Sequence, residues 1–302
     1  TELMTGYGEI TALVIDGWDA PWSRISYDDV PFEDIYLLVK SLQPNCLVMD
    51  LNAAKYPAEA LFYTDIKSYE QGAGQHISKE SNKLPALSCL PVQDNWFWKE
   101  NFPTKPVKSP KEMVEKNIIP FNNAYCNFIL NVAPNRAGLI DDNALDALIE
   151  IGKLWKNEGA VAKIPPHERP IISSNIAKQK PSGSSWSYDM NIMDFANDDK
   201  FGSSWISHPS VKNPWLEITL GENEQPFNMV VITENEGHNR ITKYRIECFS
   251  NNEWKPVLTG SNPDRIKIHR FSKIWGNKIK IIIDEFSDTP CIAEFGVYNE
   301  RN

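Results

Sequence analysis

The sequence predicts a multidomain protein in which an α/β domain is followed by an all-β sandwich, and three observations support this prediction. Over residues 1–163, short apolar runs that end on a carboxylate alternate with segments of helical periodicity, as they do in βα units. Residues 164–170 read Ile-Pro-Pro-His-Glu-Arg-Pro and form a proline-rich linker. Over residues 171–302, short strand-like segments are divided by Gly, Asn, Pro and Asp, which is typical of a β-sandwich.

The α/β domain is expected to begin with the end of a helix at residues 1–7. The continuous apolar run 10–15 then predicts a buried strand that carries Asp16 at its carboxyl end. A helix over 32–40 and a strand over 45–50 complete one strand–helix–strand repeat. The remaining predicted elements are strands at 61–66, 86–90 and 125–132, a Gly-containing loop at 71–74, and helices at 111–117 and 141–158.

The second domain shows the two-residue alternation of half-buried strands, and no helix is expected in it. The spacing of its turn residues matches a sandwich of ordinary domain size. Six strands are predicted, at residues 215–220, 229–233, 244–249, 265–269, 278–283 and 292–298.

The composition limits the kinds of ligand. A formal net charge of -9 argues against nucleic acid as a partner, because nucleic-acid binding depends on a basic surface. A neutral or polyhydroxylated ligand is easier to accommodate. Aromatic residues make up 11% of the chain, and Trp18, Trp22, Trp96 and Trp98 cluster in two short segments. Stacking on sugar rings and packing in a core both explain such tryptophans.

The five cysteines show no Cys-x-x-Cys spacing, and several lie in apolar strand-like runs, so buried free thiols are expected. A bridge between Cys248 and Cys291 stays an alternative. No run of 18 apolar residues exists, and no membrane span is expected. Residue 1 is Thr and no signal-peptide pattern is present, which leaves the start of the encoded chain open.

Asp16 ends a strand and, judged by its position alone, is a turn-former or a helix N-cap as readily as a catalytic group. Six segments that follow one another along the chain together resemble the α-L-fucosidases of glycoside hydrolase family 29. The resemblance covers about residues 1–160. The segments are residues 3–10, 15–18 (Ile-Asp-Gly-Trp), 42–45, 96–98 (Trp-Phe-Trp), 127–131 (Asn-Phe-Ile-Leu-Asn) and 151–155.

This resemblance implies a partial (β/α)8 TIM-like barrel whose N-terminal strands are missing, with the strand before Asp16 as the fourth of eight. It also implies that Asp16 is the catalytic nucleophile, and that Trp18, Trp96 and Trp98 bind the sugar. Val14 stands where the family usually has Trp. Whether the chain is a piece of a longer enzyme or a natural truncation stays open.

A retaining glycosidase needs a second carboxyl group about 5 to 5.5 Å from the nucleophile. Spacing alone leaves four candidates open, which are Asp50, Glu59, Asp65 and Glu70. The segment 64–70 resembles the one that bears the acid/base in some family members, and this points to Glu70. Other members place that glutamate two residues before a cysteine, where this chain has Leu87. A solvated loop carboxylate is the alternative for Glu70.

The second domain resembles the galactose-binding-like family of discoidin or coagulation factor 5/8 type C domains. The resemblance rests on residues 192–194, 203–205, 213–221, 240–244 and 292–295. It implies a jelly-roll sandwich with a structural Ca²⁺ held by oxygen atoms of Asp194, Asp198, Ser203 and Glu294. A metal-free Asx-rich turn is the alternative. Candidate carbohydrate contacts in exposed loops are His208, Glu234, Asn235, His238, Arg240 and Trp254.

Both resemblances together indicate a retaining exo-glycosidase of α-L-fucosidase type, which needs no cofactor for catalysis. The expected partner is a fucosylated glycan or oligosaccharide, with no nucleic acid and no membrane span. The family resemblance implies a secreted or periplasmic location. The alternative is a catalytically impaired, fucosidase-like carbohydrate-binding protein, which Val14 and Leu87 motivate.

Overall fold

The computed structural model describes residues 1–16, 25, 28–50, 57, 59–70, 83–157, 159, 163–235, 239–261 and 264–301. The chain divides into two compact units, Thr1–Pro170 and Ile171–Asn302. The first contains an α/β sheet with flanking helices, and the second is a β-sandwich. The fold class predicted from the sequence, a partial TIM-like barrel followed by an all-β sandwich, is confirmed.

The first unit is built on five parallel strands in the order β1-β2-β3-β4-β5. The parallel pairing follows from the alternation of strands and helices along the chain. Its strands are β1 (Ala12–Ile15), β2 (Leu47–Asp50), β3 (Ile66–Glu70), β4 (Ala86–Pro91) and β5 (Cys126–Asn131). Its helices are α1 (Glu2–Gly6), α2 (Phe32–Leu42), α3 (Pro110–Glu112), α4 (Ile119–Asn123) and α5 (Asp142–Leu154). A 3-10 turn lies at Phe102–Thr104 and a π-helical segment at Met113–Ile118.

Two expectations for this unit are wrong, and two helices have other ends than expected. The first strand is not buried, since the Val14 side chain is 52% exposed and β1 pairs with β2 alone among the described strands. Residues 61–65 are not a strand, because Tyr63 adopts a left-handed φ of 58°, which interrupts an extended run. The helix expected at 141–158 ends at Leu154, and the one expected at 111–117 is part of a helical stretch over 110–123.

The second unit consists of two main antiparallel sheets that enclose one core. The larger sheet has the order β11-β10-β13-β8-β6, the smaller has the order β12-β9-β15, and β14 pairs with β7. The strands are β6 (Ser182–Ser184), β7 (Trp205–Ile206), β8 (Trp215–Thr219), β9 (Gln225–Thr233), β10 (Ile241–Ser250), β11 (Glu253–Ser261), β12 (Ile266–Gly276), β13 (Lys278–Phe286), β14 (Cys291–Ile292) and β15 (Glu294–Tyr298), with a 3-10 turn at Met193–Ala196.

Fully buried side chains from both sheets meet in this core, among them Trp205, Phe227, Ile281 and Phe295. All six expected strands are present with shifted ends, while β6, β7 and β11 were not expected. All five cysteines lie in the described part, and each is a buried free thiol, as expected. In the described part of the chain, no helix is long and apolar enough to cross a membrane.

Candidate active site

The carboxyl ends of the five parallel strands bring several predicted site residues to one edge of the sheet. Asp16 is the first residue after β1 and is exposed, and Glu70 is the last residue of β3. One strand, β2, lies between them. The Glu70 side chain and the whole of Trp18 lie outside the described residues. The structure therefore brings the backbones of the two predicted catalytic residues to the same edge.

Two of the four candidate carboxyl groups have environments that suit structural roles. Asp50 ends β2 and is fully buried. Asp65 connects α2 to β2, because it accepts hydrogen bonds from the Tyr36 hydroxyl at 2.6 Å and the Val48 backbone N–H at 2.8 Å. It also forms an ion pair with Lys40 at 2.6 Å. These three contacts hold the Asp65 carboxylate in place between α2 and β2.

Tyr69 adjoins Glu70 in the chain and packs into the cluster that also contains Phe121 of α4. Its hydroxyl is buried, with no hydrogen-bond partner among the described residues. Burial raises the Tyr69 pKa above its usual value, and the charges of Cys126, Glu59 and Asp50 add to this. The phenol therefore stays neutral, and β3 is anchored on its helix side one residue before Glu70.

The loop after β4 holds the predicted sugar-binding tryptophans in place. The Trp98 indole N–H donates to Asp141 Oδ2 at 2.8 Å, and the Arg136 guanidinium lies 5.7 Å from the ring centre. The Trp96 carbonyl accepts a hydrogen bond from Asn131 Nδ2 at 3.0 Å, which ties the loop to the carboxyl end of β5. Both tryptophans are half-buried. Fixed rings of this kind suit an aromatic wall beside the strand ends.

Sequence reasoning missed two residues of this wall. Phe97, between the two tryptophans, has a side chain that is 78% exposed, which makes it the most accessible of the three rings. Asp141 is buried and also accepts from Asn135 Nδ2 at 3.0 Å, so it fixes the Trp98 ring from the start of α5. The exposure of Phe97 has no signal in the sequence, because its apolar neighbours suggest a buried run.

The sandwich unit presents a second aromatic surface in its loops. The rings of Trp186 and His208 are stacked, with centres 3.6 Å apart and planes 5° from parallel, and Tyr188 lies beside His208. Trp186 is 65% exposed. His208 Nδ1 lies 2.8 Å from Ser210 Oγ, which orients its ring. Of the loop residues expected to contact carbohydrate, His208 is therefore the one that belongs to an exposed platform.

Two other candidates do not lie in exposed loops. Glu234 is fully buried and accepts hydrogen bonds from the backbone N–H groups of Arg240 and Ile241. Burial raises its pKa to about 7. Trp254 belongs to β11 and is covered by the Lys280 ammonium, 3.8 Å from its ring centre. Arg240 donates to the Thr289 carbonyl at 3.0 Å, and His238 lies outside the described residues.

The residues expected to hold calcium separate into two groups. Glu294 is fully buried, and its pKa is raised well above the usual value by burial and by the nearby charges of Asp199 and Asp198. Ser203 Oγ donates to Asp198 Oδ2 at 2.7 Å. Asp194 is exposed and accepts instead from Ser182. Within the described residues, no group of three or more His, Cys, Asp or Glu side chains has the arrangement of a metal site.

Comparison with known families matches the chain in two successive parts. The family described as alpha-L-fucosidase matches residues 1–160, and the F5/8 type C domain matches residues 175–295. Alpha-L-fucosidase 1 of Arabidopsis thaliana is 24% identical over 334 residues, an alignment that covers 100% of this chain and 60% of the relative. The chain therefore spans about 60% of the length of this curated relative.

Two solved structures illustrate the two parts. The crystal structure of SpGH29 covers 98% of this chain, is itself covered over 64% of its length, and has 18% identity with a TM-score of 0.41. A fucose binding module of Streptococcus pneumoniae, SpX-3, covers 42% of this chain and is covered over 99% of its length, with 20% identity and a TM-score of 0.38.

Proposed function

The chain belongs to the α-L-fucosidase family, and on that basis we propose that the protein is a retaining exo-glycosidase that removes terminal α-L-fucose from glycans. Asp16 is the proposed nucleophile and Glu70 the proposed acid/base. The observation that supports this most is the parallel sheet, which brings the end of β1 and the end of β3 to one edge.

The strand spacing suits this pair. Neighbouring strands lie about 4.8 Å apart, so two positions separate the backbones by roughly 10 Å across the sheet. Two carboxyl side chains that lean toward each other can bridge such a gap to the ~5 Å that a retaining mechanism requires. Two of the other candidate carboxyl groups are less suitable as the acid/base. Asp50 is buried, and Asp65 is held by Tyr36, Lys40 and Val48.

The proposed reaction has two balanced steps. In the first, an Asp16 carboxylate oxygen attacks the anomeric carbon, the glycosidic C–O bond breaks, and Glu70 gives its proton to the leaving oxygen. In the second, the Glu70 carboxylate takes a proton from water, whose oxygen attacks the anomeric carbon and displaces Asp16. The products are free fucose and the shortened glycan, and both carboxyl groups return to their starting states.

Kinetics of the full-length protein test these roles. We expect Asp16→Asn to lower kcat/KM at least about a thousandfold with every aryl fucoside, because no other group forms the ester. Glu70→Gln should lower kcat/KM about a hundredfold or more with aryl fucosides whose leaving group is poor. With good leaving groups the loss should be far smaller, because such groups leave without a proton. Glu115→Gln is the matched control, since Glu115 is an exposed carboxylate that pairs with Lys111 on the helical segment. Unchanged hydrolysis by Asp16→Asn would rule out the nucleophile.

A carbohydrate-binding protein without turnover is the second candidate. Leu87, a hydrocarbon side chain in the middle of β4, favours it because some relatives place their acid at this position. The exposed stack of Trp186 and His208 also favours it, because such a platform binds sugar without chemistry. Measured release of fucose by the full-length protein excludes this candidate, whereas glycan binding with no release supports it.

We extend the proposal to a structural calcium ion near Glu294. A buried carboxylate beside two aspartates is costly unless a cation balances it, and oxygen ligands suit Ca²⁺. Asp198, Ser203 and Glu294 are the residues proposed to hold it, whereas Asp194 is exposed and accepts from Ser182. We expect 1 mM Ca²⁺ to raise the thermal midpoint of EDTA-treated protein and to leave Glu294→Gln unchanged. An equal midpoint with and without Ca²⁺ would exclude the ion.

The proposed partner is a fucosylated glycan outside the cytoplasm, in a secreted or periplasmic setting.

A further inference from the structure

A cleft of about 650 Å³ lies in the sandwich between one edge strand of each main sheet, β11 and β12. It lies beside Ser250, where β10 ends, whereas the loops with Arg240 lie where β10 begins. Ten residues of extended strand span about 30 Å. Ser207, next to His208, donates its backbone N–H to the Pro290 carbonyl at 3.1 Å, and Arg240 donates to the neighbouring Thr289 carbonyl. The Trp186 and His208 surface therefore lies near the start of β10, away from the cleft.

Irregular strand pairing shapes this cleft on both sides. In β12 the register shifts between Arg270 and Ile274, so that Phe271 and Ser272 leave the regular ladder. In the other sheet, β10 and β11 shift between Ile246 and Glu247, and Val257 is the extra residue. Phe271, Ser272 and Val257 all line the cleft. A β-bulge bends its strand, and β-bulges commonly lie next to functional sites.

The floor of the cleft is apolar and its rim carries an accessible indole. Val257, Phe271 and Ile274 form the floor and pack against the sandwich core, so this part is fixed. Trp275 is 57% exposed at the rim. Its strand runs close to β10, because a Cβ added at Gly276 would lie 2.1 Å from Cys248 Sγ. This close approach holds Trp275 at the edge of the cleft.

Polar groups on the opposite rim are fixed by hydrogen bonds. Glu224 Oε1 accepts from Ser250 Oγ at 3.1 Å and from the Asn251 backbone N–H at 2.8 Å. Lys255 also lines the cleft and pairs with Glu253 at 3.1 Å. The lining thus offers the carboxylate of Glu224, the amide of Asn251 and the ammonium group of Lys255 in addition to the exposed indole.

We propose that this cleft binds a neutral sugar residue of a glycan, as a second carbohydrate site of the sandwich. A sugar ring has an apolar face that stacks on indole and hydroxyl groups that bond to fixed carboxylate and amide oxygens. The volume is of the size that holds one or two such rings. Glu224 and the overall charge of -9 disfavour an anionic ligand. This site is independent of fucose hydrolysis.

Titration of the ¹⁵N-labelled full chain tests the site directly. The Trp275 indole N–H signal is identified by its loss in Trp275→Ala, and the probes are the methyl glycosides of L-fucose, D-galactose and D-glucose. We expect this signal to shift and saturate with at least one of the three. We also expect Trp275→Ala to weaken calorimetric binding at this site about tenfold, as for the loss of an aromatic anchor.

Three controls make the result decisive. Ser272→Trp fills the cleft from an exposed position and should abolish the shift, while Trp186→Ala on the other surface should leave it unchanged. Cyclohexanol, a ring with one hydroxyl group, should not reproduce it. A Trp275 signal that no glycoside moves, a shift that survives Ser272→Trp, or an equal shift with cyclohexanol would each overturn the proposal.

Discussion

The two units bury their apolar residues in different ways. In the sandwich, side chains from both sheets form one continuous core. In the α/β unit, the apolar clusters of the described residues are smaller, with one around Val39 and Val48, one around Tyr69 and one around Met113, and Phe128 packs against the last two. The outer strands of its sheet also expose apolar side chains, with Val14 at 52% and Ile129 at 48%. The free energy of unfolding is therefore expected to differ between the two units.

The difference also bears on function. The sandwich carries the two surfaces that are proposed to bind carbohydrate, one at its loops and one at its edge strands. The sheet of the α/β unit gathers residues from successive strands at one edge, which is the arrangement that allows two distant carboxylates to act together. Fucoside hydrolysis is thus proposed for the α/β unit, whose described apolar clusters are the smaller ones.

The largest expected effect is the loss of a core side chain in the sandwich. Trp205 is fully buried, and its indole N–H donates to Ser187 Oγ at 3.1 Å. We expect Trp205→Ala to cost about 4 kcal/mol of unfolding free energy, whereas Val14→Ala on the exposed strand should cost less than about 1 kcal/mol. Hydrogen exchange of each unit measures both changes. Equal costs for the two substitutions would contradict the contrast between the cores.

A smaller but localised effect is expected at Asp65. Its removal leaves the Tyr36 hydroxyl, the Lys40 ammonium and the Val48 N–H without this acceptor. We expect Asp65→Ala to cost about 2 to 3 kcal/mol and to speed hydrogen exchange in α2 and β2, with the sandwich unaffected. Lys116→Ala, which removes an exposed pair with Glu112, is the control and should leave hydrogen exchange in α2 and β2 unchanged. Faster exchange in the sandwich would contradict a local role.

The smallest effect is a pH dependence confined to the sandwich. Burial raises the Glu234 pKa from 4.5 to about 7, so the folded state holds this proton more tightly than the unfolded state. Its contribution to stability is therefore greatest below pH 4.5 and is lost as the pH rises to 7. We expect the wild type to lose on the order of 2 kcal/mol across this window relative to Glu234→Gln, measured by denaturation. Parallel curves for the two proteins would show that Glu234 does not titrate in this range.

The sequence predicted well those elements whose burial pattern is regular. Helix α2 and strands β2 and β5 lie where their periodicity placed them, and so do the central strands of the sandwich. Strand β11 was missed because it is an edge strand with mixed burial and a proline at 256. The exposure of Val14 was missed because an apolar run does not reveal which strands have a neighbour on both sides.

The candidate site was predictable only in part. Asp16 was predicted from its place at a strand end together with the family resemblance, and Glu70 from the resemblance alone, because the strand that ends on Glu70 was not predicted. The buried states of Asp50 and Glu234 and the shared role of Asp65 depend on contacts between residues far apart in the chain. No local pattern encodes such contacts. Phe97 and the cleft beside Trp275 likewise become visible only when strands from different parts of the sequence meet.

Trapping of the glycosyl-enzyme tests the assignment of Asp16 most directly. The full-length protein is incubated with 2-deoxy-2-fluoro-L-fucosyl fluoride, whose fluorine slows hydrolysis of the ester while its fluoride leaves readily. Peptide mass spectrometry then locates the label. The expected result is a single fucosyl ester on Asp16, absent from Asp16→Asn. A label on another carboxylate, or steady release of fucose from other substrates with no label at Asp16, would contradict the proposed mechanism.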